Sequence, residues 1–267
     1  MRLQGAAGDR HQVQVALDWA HADIIIRRHP VDLLVVDPQF DSPTRARSDG
    51  IRAVRDRYRA LPMIVYSNLA AQTLRPLVEL GRDGLQQLVL YGLDDDPRQL
   101  RSVLERQPSI LLSEKLLRML QRPLSRMPER VAQAVERLIR NPSTFGGVPD
   151  LASAARVPRR SLYRHFERAG VATPRELVAG ARLLRAYAFL REPAYSLEAV
   201  ASHVKFGDAD AMTRAMKWGV GITPGRARAR IGPDEFVARL AAGLAPASSP
   251  GPSTWLLPPD VPTGLYV

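Results

Sequence analysis

Arginine is concentrated on one side of a short helix predicted for residues 159–169. At 100° per residue, that side carries Arg160, Arg164, Glu167 and Arg168, with Tyr163 on its flank. Leu162 and Phe166 are four residues apart and form the opposite, apolar side. A guanidinium group donates hydrogen bonds from a planar fork that suits phosphate oxygens and guanine edges. This face predicts contact with a polyanion, although a solvated surface helix could carry a similar face.

The net charge of +11 is unevenly distributed along the 267 residues. Residues 128–231 hold 18 Arg and Lys against 9 Asp and Glu, whereas the remaining residues hold 20 against 18. A basic part joined to a nearly neutral part indicates that the basic part has a nucleic-acid partner. A GC-rich coding sequence would also enrich arginine, so charge alone does not decide between the two interpretations.

The basic region contains an internal repeat with a period of about 50 residues, which suggests two copies of one module. Arg164-x-Phe166 is followed by Gly170 and Thr173-Pro174, and Arg214-x-Met216 is followed by Gly221 and Thr223-Pro224. Each copy predicts two helices joined by a tight turn, then a glycine stop and a new helix. Thr173-Pro174-Arg175-Glu176 fits a capping box, with threonine as the N-cap and proline at the first helical position.

The first part of the chain alternates strand and helix patterns. Short apolar, β-branched runs at 31–37, 62–66 and 85–91 predict buried strands. Helices are predicted near 14–28, 45–59, 70–82 and 97–106, the last of them capped by Asp96. This alternation favours an α/β domain with a parallel sheet covered on both faces, a truncated or degenerate flavodoxin-like sheet, over residues 1–107.

The second part of the chain is predicted to be all-α. Residues 108–127 are predicted to form a linker, with a short helix near 113–121 between Pro108 and Pro123. The two-motif region is assigned to 128–231, with helices near 128–140, 148–155, 159–169, 174–191, 196–204, 208–218 and 224–230. Residues 232–267 are predicted to form a short helix near 233–243 and a disordered tail rich in Pro and Ser.

The two motifs and their joining helix resemble the AraC/XylS family of transcription regulators. The first match is Leu151-Ala152…Val157-Pro158-x-x-x-Leu162-x-Arg164-x-Phe166…Gly170…Thr173-Pro174. The joining helix matches at Arg182-Leu183-x-x-Ala186-x-x-Phe189-Leu190. The second match is Ser196-Leu197-x-x-Val200-Ala201…Phe206-x-Asp208…Arg214…Lys217…Gly221-x-Thr223-Pro224. The resemblance covers about 100 residues in the right order and spacing.

The resemblance implies two recognition helices that enter successive major grooves of duplex DNA, about 34 Å apart. By position, the DNA-facing residues of the first helix are Arg160, Tyr163 and Arg164, with Arg168 on the same face. Those of the second helix are Ala209, Asp210, Thr213 and Arg214, with Lys217 as a phosphate contact. The second motif departs from the family at several positions: Lys205 replaces a glycine, Ala211 replaces a polar or aromatic residue, Met212 replaces the usual core aromatic residue or leucine, and Asp208 and Asp210 add negative charge. Asp208 is expected to be the N-cap of this helix. The second motif is therefore expected to bind DNA weakly or to serve as structure.

The first part of the chain resembles a response-regulator receiver domain. Asp37 ends an apolar strand where the family has its phospho-acceptor, and Ser67 falls at the family's hydroxyl position. The lysine expected after the last strand is missing, because the chain reads Gly92-Leu93-Asp94 there. The acidic pair that would hold Mg²⁺ is also missing, and phosphoryl transfer needs that metal. We therefore expect a degenerate receiver that serves dimerisation or partner contact rather than phosphorylation.

The composition excludes several function classes. The chain has no cysteine, which rules out thiolate metal sites, cysteine nucleophiles and an alkyl-acceptor repair enzyme built on the same helical module. The five histidines show no metal-ligand spacing, no catalytic signature is visible, and we predict neither an enzyme nor a cofactor. Without an apolar span of about 18 residues or a signal peptide, we expect a cytoplasmic protein with no membrane association.

Three functions remain open from the sequence. The first is a DNA-binding transcription regulator whose partners are double-stranded DNA, a second copy in a homodimer, and RNA polymerase as a further candidate. The second is a response regulator controlled by phosphorylation at Asp37. The third is a protein-interaction scaffold that has lost DNA binding, which Asp208 and Asp210 favour.

Overall fold

The computed structural model describes residues 13–40, 48–83, 87–94, 96, 98–100, 103 and 108–245. They belong to two compact units. The first contains the described residues up to 108 together with 192–195, and the second contains 109–191 and the described residues from 196 onward.

The first unit is built on a three-stranded parallel sheet. Helices and strands follow one another in this order: α1 (Trp19–Arg28), β1 (Leu34–Val36), α2 (Asp49–Arg57), β2 (Met63–Ser67), α3 (Ala71–Arg82) and β3 (Leu88–Leu90). The strands lie in the order β1-β2-β3, with Val35 opposite Ile64 and Val65 opposite Leu88. Adjacent residues of a strand point to opposite faces, and Ile64 and Val65 accordingly enter two different apolar clusters.

The sequence predicted these strands, but one helix starts later than expected. Asp18 adopts an extended backbone conformation and its side chain accepts a hydrogen bond from the backbone N–H of His21 at 2.7 Å, so α1 begins at Trp19 rather than near 14. Asp96 caps the next helical turn by accepting from the N–H groups of Arg98 and Gln99. Most of the helix predicted for 97–106 falls outside the described residues.

The described part of the second unit is helical. Its helices are α4 (Pro108–Leu124), α5 (Glu129–Arg140), α6 (Val148–Ala154), α7 (Arg159–Ala169), α8 (Pro174–Leu190), α9 (Leu197–His203), α10 (Ala209–Gly219), α11 (Pro224–Arg230) and α12 (Pro233–Leu244). A three-residue 3₁₀ turn, Pro142–Thr144, separates α5 from α6. A parallel sheet followed by a helical region confirms the predicted α/β then all-α fold class.

The helix predicted for 113–121 is longer than expected. Pro108 starts α4 and Pro123 lies in its last turn, positions where a missing N–H costs at most one helical hydrogen bond. Leu116 and Leu120 are buried, and the Ser113 hydroxyl donates to the carbonyl of Ile139 at 3.0 Å. Helix α4 is thus packed on α5 and belongs to the core of its unit.

The joining helix α8 forms the centre of the second unit. It is buried along most of its length and packs against helices that include α5, α9, α10, α11 and α12. The capping box predicted at its start is present, because the Thr173 side chain accepts from the N–H of Glu176 while Glu176 accepts from the N–H of Thr173. Among the described residues, no helix combines the length and apolarity needed to cross a membrane.

Candidate nucleic-acid interface

The first helix-turn-helix motif consists of α6, a tight turn and α7. Arg156 occupies the turn with φ of +53°, and the N–H of Val157 donates to the carbonyl of Ala152 at 3.1 Å. Leu151 and Leu162 are fully buried where the two helices meet. Packing of this pair fixes which side of α7 faces outward.

The outward side of α7 carries the four side chains that the sequence selected. Arg160, Arg164 and Arg168 are exposed, and Tyr163 is half-buried beside them. None of these three arginines forms an ion pair with any carboxylate that the structure describes. Exposed guanidinium groups on the second helix of such a motif can donate to base edges and phosphates of a major groove.

The second motif has the same backbone with a different charge distribution. Lys205 occupies its turn with φ of +60°, and the N–H of Phe206 donates to the carbonyl of Ala201 at 2.8 Å. The side chain of Asp208 caps α10 by accepting from the N–H of Ala211, as the sequence predicted. Glu198 accepts from the N–H of Ala209 at 3.2 Å, which places another carboxylate at the start of this helix.

The two ends of α10 differ in charge. Asp210 is exposed near its start, whereas Arg214 and Lys217 are exposed toward its end and Thr213 is half-buried between them. Met212, which departs from the family pattern, is fully buried and fills the core position. The negative start of α10 contrasts with Arg159 and Arg160 at the start of α7.

Two features of the interface were not selected from the sequence. Trp218, on α10 next to Lys217, is 44% exposed, which is high for an aromatic side chain of this size. Its position in the helix pattern was visible, but nothing in the sequence predicted its exposure. The second feature is the set of hydrogen bonds made by Arg182.

Arg182 connects the surroundings of both motifs from the middle of α8. Its guanidinium donates to the carbonyls of Gly146 at 2.8 Å and Phe145 at 3.3 Å, just before α6, and to the carbonyl of Lys205 at 2.9 Å in the second turn. Desolvation by burial lowers the pKa of Arg182 below that of a free arginine. The sequence marks Arg182 as part of the joining-helix pattern, but these carbonyl partners lie 23 to 37 residues away.

Helix α12 completes the unit behind the two motifs. Phe236 stacks on Tyr187 of α8, with ring centroids 4.1 Å apart and planes 15° apart. The carbonyl of Leu244 accepts from the N–H of Ala172 at 2.8 Å, in the loop between the first motif and α8. The sequence predicted this helix but not its role in the core.

A family model for a helix-turn-helix domain matches residues 151–230, which span α6 to α11. The match agrees with the AraC-type resemblance of the two motifs over residues 151–230. A helix-turn-helix match of this kind supports a role in DNA binding and transcription regulation. Comparisons with curated proteins and with solved structures gave no match. Helices α5 and α12 lie outside the matched range, although both pack against α8.

The sheet of the first unit places Asp37 and Ser67 at the ends of neighbouring strands. Asp37 is exposed, and its carboxylate accepts from the N–H of Gln39 at 2.9 Å, which forms a local turn. Ser67 is buried. In the part of the chain that the structure describes, no three His, Asp or Glu side chains group in a way that could hold a metal ion. The receiver resemblance and the role of Asp37 stay predictions.

Proposed function

We propose that this protein is a sequence-specific, double-stranded DNA-binding transcription regulator whose first motif supplies most of the DNA affinity. The observation that carries this proposal is the row of exposed, unpaired arginines on α7 within an AraC-type domain. Arg160 and Arg164 contact guanine or phosphate, and Tyr163 adds a contact from their flank. Arg168, one turn further along, lies close to the phosphate backbone.

The second motif contributes less in this proposal. Its recognition helix starts with Asp208, which is used as a cap, and with Asp210, which would repel phosphate unless it accepts from a cytosine amino group. Arg214 and Lys217, on later turns of α10, supply phosphate contacts, with Thr213 between them. The motif therefore acts mainly as a second backbone clamp.

Replacing Arg160 and Arg164 together with alanine is expected to weaken binding to a duplex by about 1–3 kcal/mol for each base-reading arginine. The measurement is binding of a fluorescent 40-base-pair duplex pool across a salt series. The matched control is Arg118→Ala/Arg122→Ala, which removes two exposed arginines with the same i, i+4 spacing from α4. Equal affinities for the two double variants would remove α7 from the interface, and no duplex binding by the wild type at low salt would end the regulator proposal.

We further propose that the first unit serves dimerisation or partner contact rather than phosphorylation. Leu74 and Val78 are four residues apart on α3 and are 53% and 49% exposed, so they form an apolar stripe on the helix surface. A second copy would bury this stripe, and two linked DNA-binding domains would bind paired half-sites more tightly. RNA polymerase is a further candidate partner of the proposed regulator.

Replacing Leu74 and Val78 with glutamate is expected to convert a dimer into a monomer, because the stripe would then carry repelling charge. Light scattering at micromolar concentration measures the change. Ile24 of α1 is 48% exposed in the same unit, and Ile24→Glu is the control that should leave the dimer intact. A monomeric wild type would exclude dimerisation, and a dimer that survives both substitutions would place the interface elsewhere.

A further inference from the structure

An arginine-lined cleft opens between α5 and the end of α6, outside the face that α7 presents. It is open to solvent and has a volume of about 650 Å³, and its charged lining is Arg130, Arg137, Arg140, Arg156 and Glu136. Four guanidinium groups therefore share the lining with one carboxylate, and a second carboxylate, Glu114, pairs with Arg140 from outside the lining. Such an imbalance in a concave site concentrates positive potential and favours an anionic ligand.

The arginines of the cleft are not equivalent. Arg140 pairs with Glu114 at 2.9 Å and lies 3.9 Å from Glu136, and Arg137 donates to the carbonyl of Ala154 at 3.1 Å. These bonds hold the two central guanidinium groups in place. Arg130 and Arg156 have no such partner among the described side chains, so their charges are available to a ligand.

The backbone at Arg156 is strained in a way that glycine would relieve. Its φ of +53° lies in the left-handed region, which a side chain with a Cβ adopts at an energetic cost. Lys205 adopts the same left-handed conformation in the turn of the second motif, so the turn itself requires it, and a charged side chain is kept at both positions although glycine would fit at lower cost. At position 156 that charged side chain lines the arginine cleft.

The cleft also lies close to the start of the recognition helix. Arg156 comes three residues before Arg159, where α7 begins. In a helix-turn-helix complex the N-terminal residues of the second helix enter the major groove, and the phosphates that border the groove lie beside the turn. Arg130 and Arg137 are two helical turns apart on α5, about 10 Å, so the cleft can follow more than one phosphate.

We propose that this cleft binds the DNA phosphate backbone at the edge of the groove that α7 enters, with Arg130 and Arg156 as the contacting residues. The proposal rests on the proposed DNA-binding function and extends its interface to α5, which precedes the matched family range. Contacts of this kind add affinity and fix orientation without reading sequence.

The test measures binding of the same random-sequence duplex pool by Arg130→Ala/Arg156→Gly across a salt series. Each lost phosphate contact should lower the slope of log affinity against log salt by about 0.9, so the double variant should lose nearly two units of slope. Arg118→Ala/Arg122→Ala removes the same charge from α4 and should retain the wild-type slope. The melting temperature should not fall, because glycine relaxes the turn at residue 156.

Two single variants separate charge from backbone strain at position 156. Arg156→Gly and Arg156→Ala should weaken duplex binding equally, since both remove the guanidinium, whereas only the glycine variant should raise the melting temperature. Arg156→Lys should restore most of the salt slope. Equal binding by Arg156→Ala and the wild type would overturn the assignment of this residue.

The outcomes distinguish this inference from the proposed function. If the wild type binds no duplex, both the proposed function and the cleft proposal are wrong. If the wild type binds duplex with the same salt slope as Arg130→Ala/Arg156→Gly, only the cleft proposal is wrong. A small-anion site is tested with inorganic pyrophosphate: if it raises the melting temperature of the wild type but not of the cleft variant, and duplex binding is unchanged, the cleft binds a free anion instead.

Discussion

Replacing Phe236 with alanine is expected to destabilise the C-terminal unit by about 3–5 kcal/mol, the range typical of a large aromatic removed from a core. Phe236 is fully buried and stacks on Tyr187, whose hydroxyl donates to the carbonyl of Ile231 at 2.8 Å. The substitution would leave a cavity between α12 and α8. It would also weaken the packing that holds Tyr187 against the turn before α12. Chemical denaturation followed by far-UV circular dichroism measures the loss.

The matched control for Phe236 lies on the exposed side of the same helix. Arg239 forms an i, i+4 ion pair with Glu235 at 2.8 Å, and Arg239→Ala should cost at most about 0.5 kcal/mol because such surface pairs contribute little. If Phe236→Ala and Arg239→Ala unfold at the same denaturant concentration, α12 is not part of the cooperative core. A chain ending at residue 230, where the family match ends, would then be expected to fold, contrary to the packing seen here.

The parts of the fold that follow from local pattern were predicted well. Strands β1 to β3, the turns of both motifs and the caps at Thr173 and Asp208 depend on neighbouring residues, and the structure confirms them. The outward placement of Arg160 and Arg164 also follows, because Leu162 and Phe166 define the buried side of the same helix. The spacing of apolar residues decides which side of α7 is buried, because an amphipathic helix has one apolar face.

The parts that depend on distant partners could not be predicted from the sequence. Pro108 and Pro123 were expected to bound a short helix within a linker, yet both lie within α4, which packs on α5. The apolar face of α12 was visible, but its partner on α8 was not. The arginine cleft brings α5 together with the turn at Arg156, two segments that no single periodic pattern connects.

Arg182 illustrates the same limit and has the most direct consequence for function. The family pattern includes this arginine, but it does not reveal that one guanidinium bonds the carbonyls before α6 and the carbonyl in the second turn. Its charge has no carboxylate partner among the described residues, and its Nε is buried without a hydrogen bond there. We infer that Arg182 is a positioning residue that holds the two motifs at a fixed separation.

Replacing Arg182 with methionine is expected to lower stability by about 2–4 kcal/mol. Three hydrogen bonds from a charged group are lost, each worth about 1.5–3 kcal/mol, while the relieved desolvation of the guanidinium offsets part of that loss. Arg182→Lys should recover little, because a single ammonium group cannot reach carbonyls on both sides of α8. Denaturation measures stability, and duplex binding under conditions where the variant is folded measures the spacing of the motifs.

Binding is the measurement that separates positioning from a purely structural role for Arg182. If the two motifs lose their fixed separation, folded Arg182→Met should bind a duplex long enough for only one motif with the affinity of the wild type. It should lose the additional affinity that the wild type has for a duplex long enough for both motifs. Arg185→Met is the control, because it removes a guanidinium from the same helix at a position where that group lies 5.4 Å from the ring centre of Phe189. If the affinities of the two variants depend equally on duplex length, α8 alone sets the separation of the motifs. A helix that its neighbours pack along most of its length would then be rigid without the arginine.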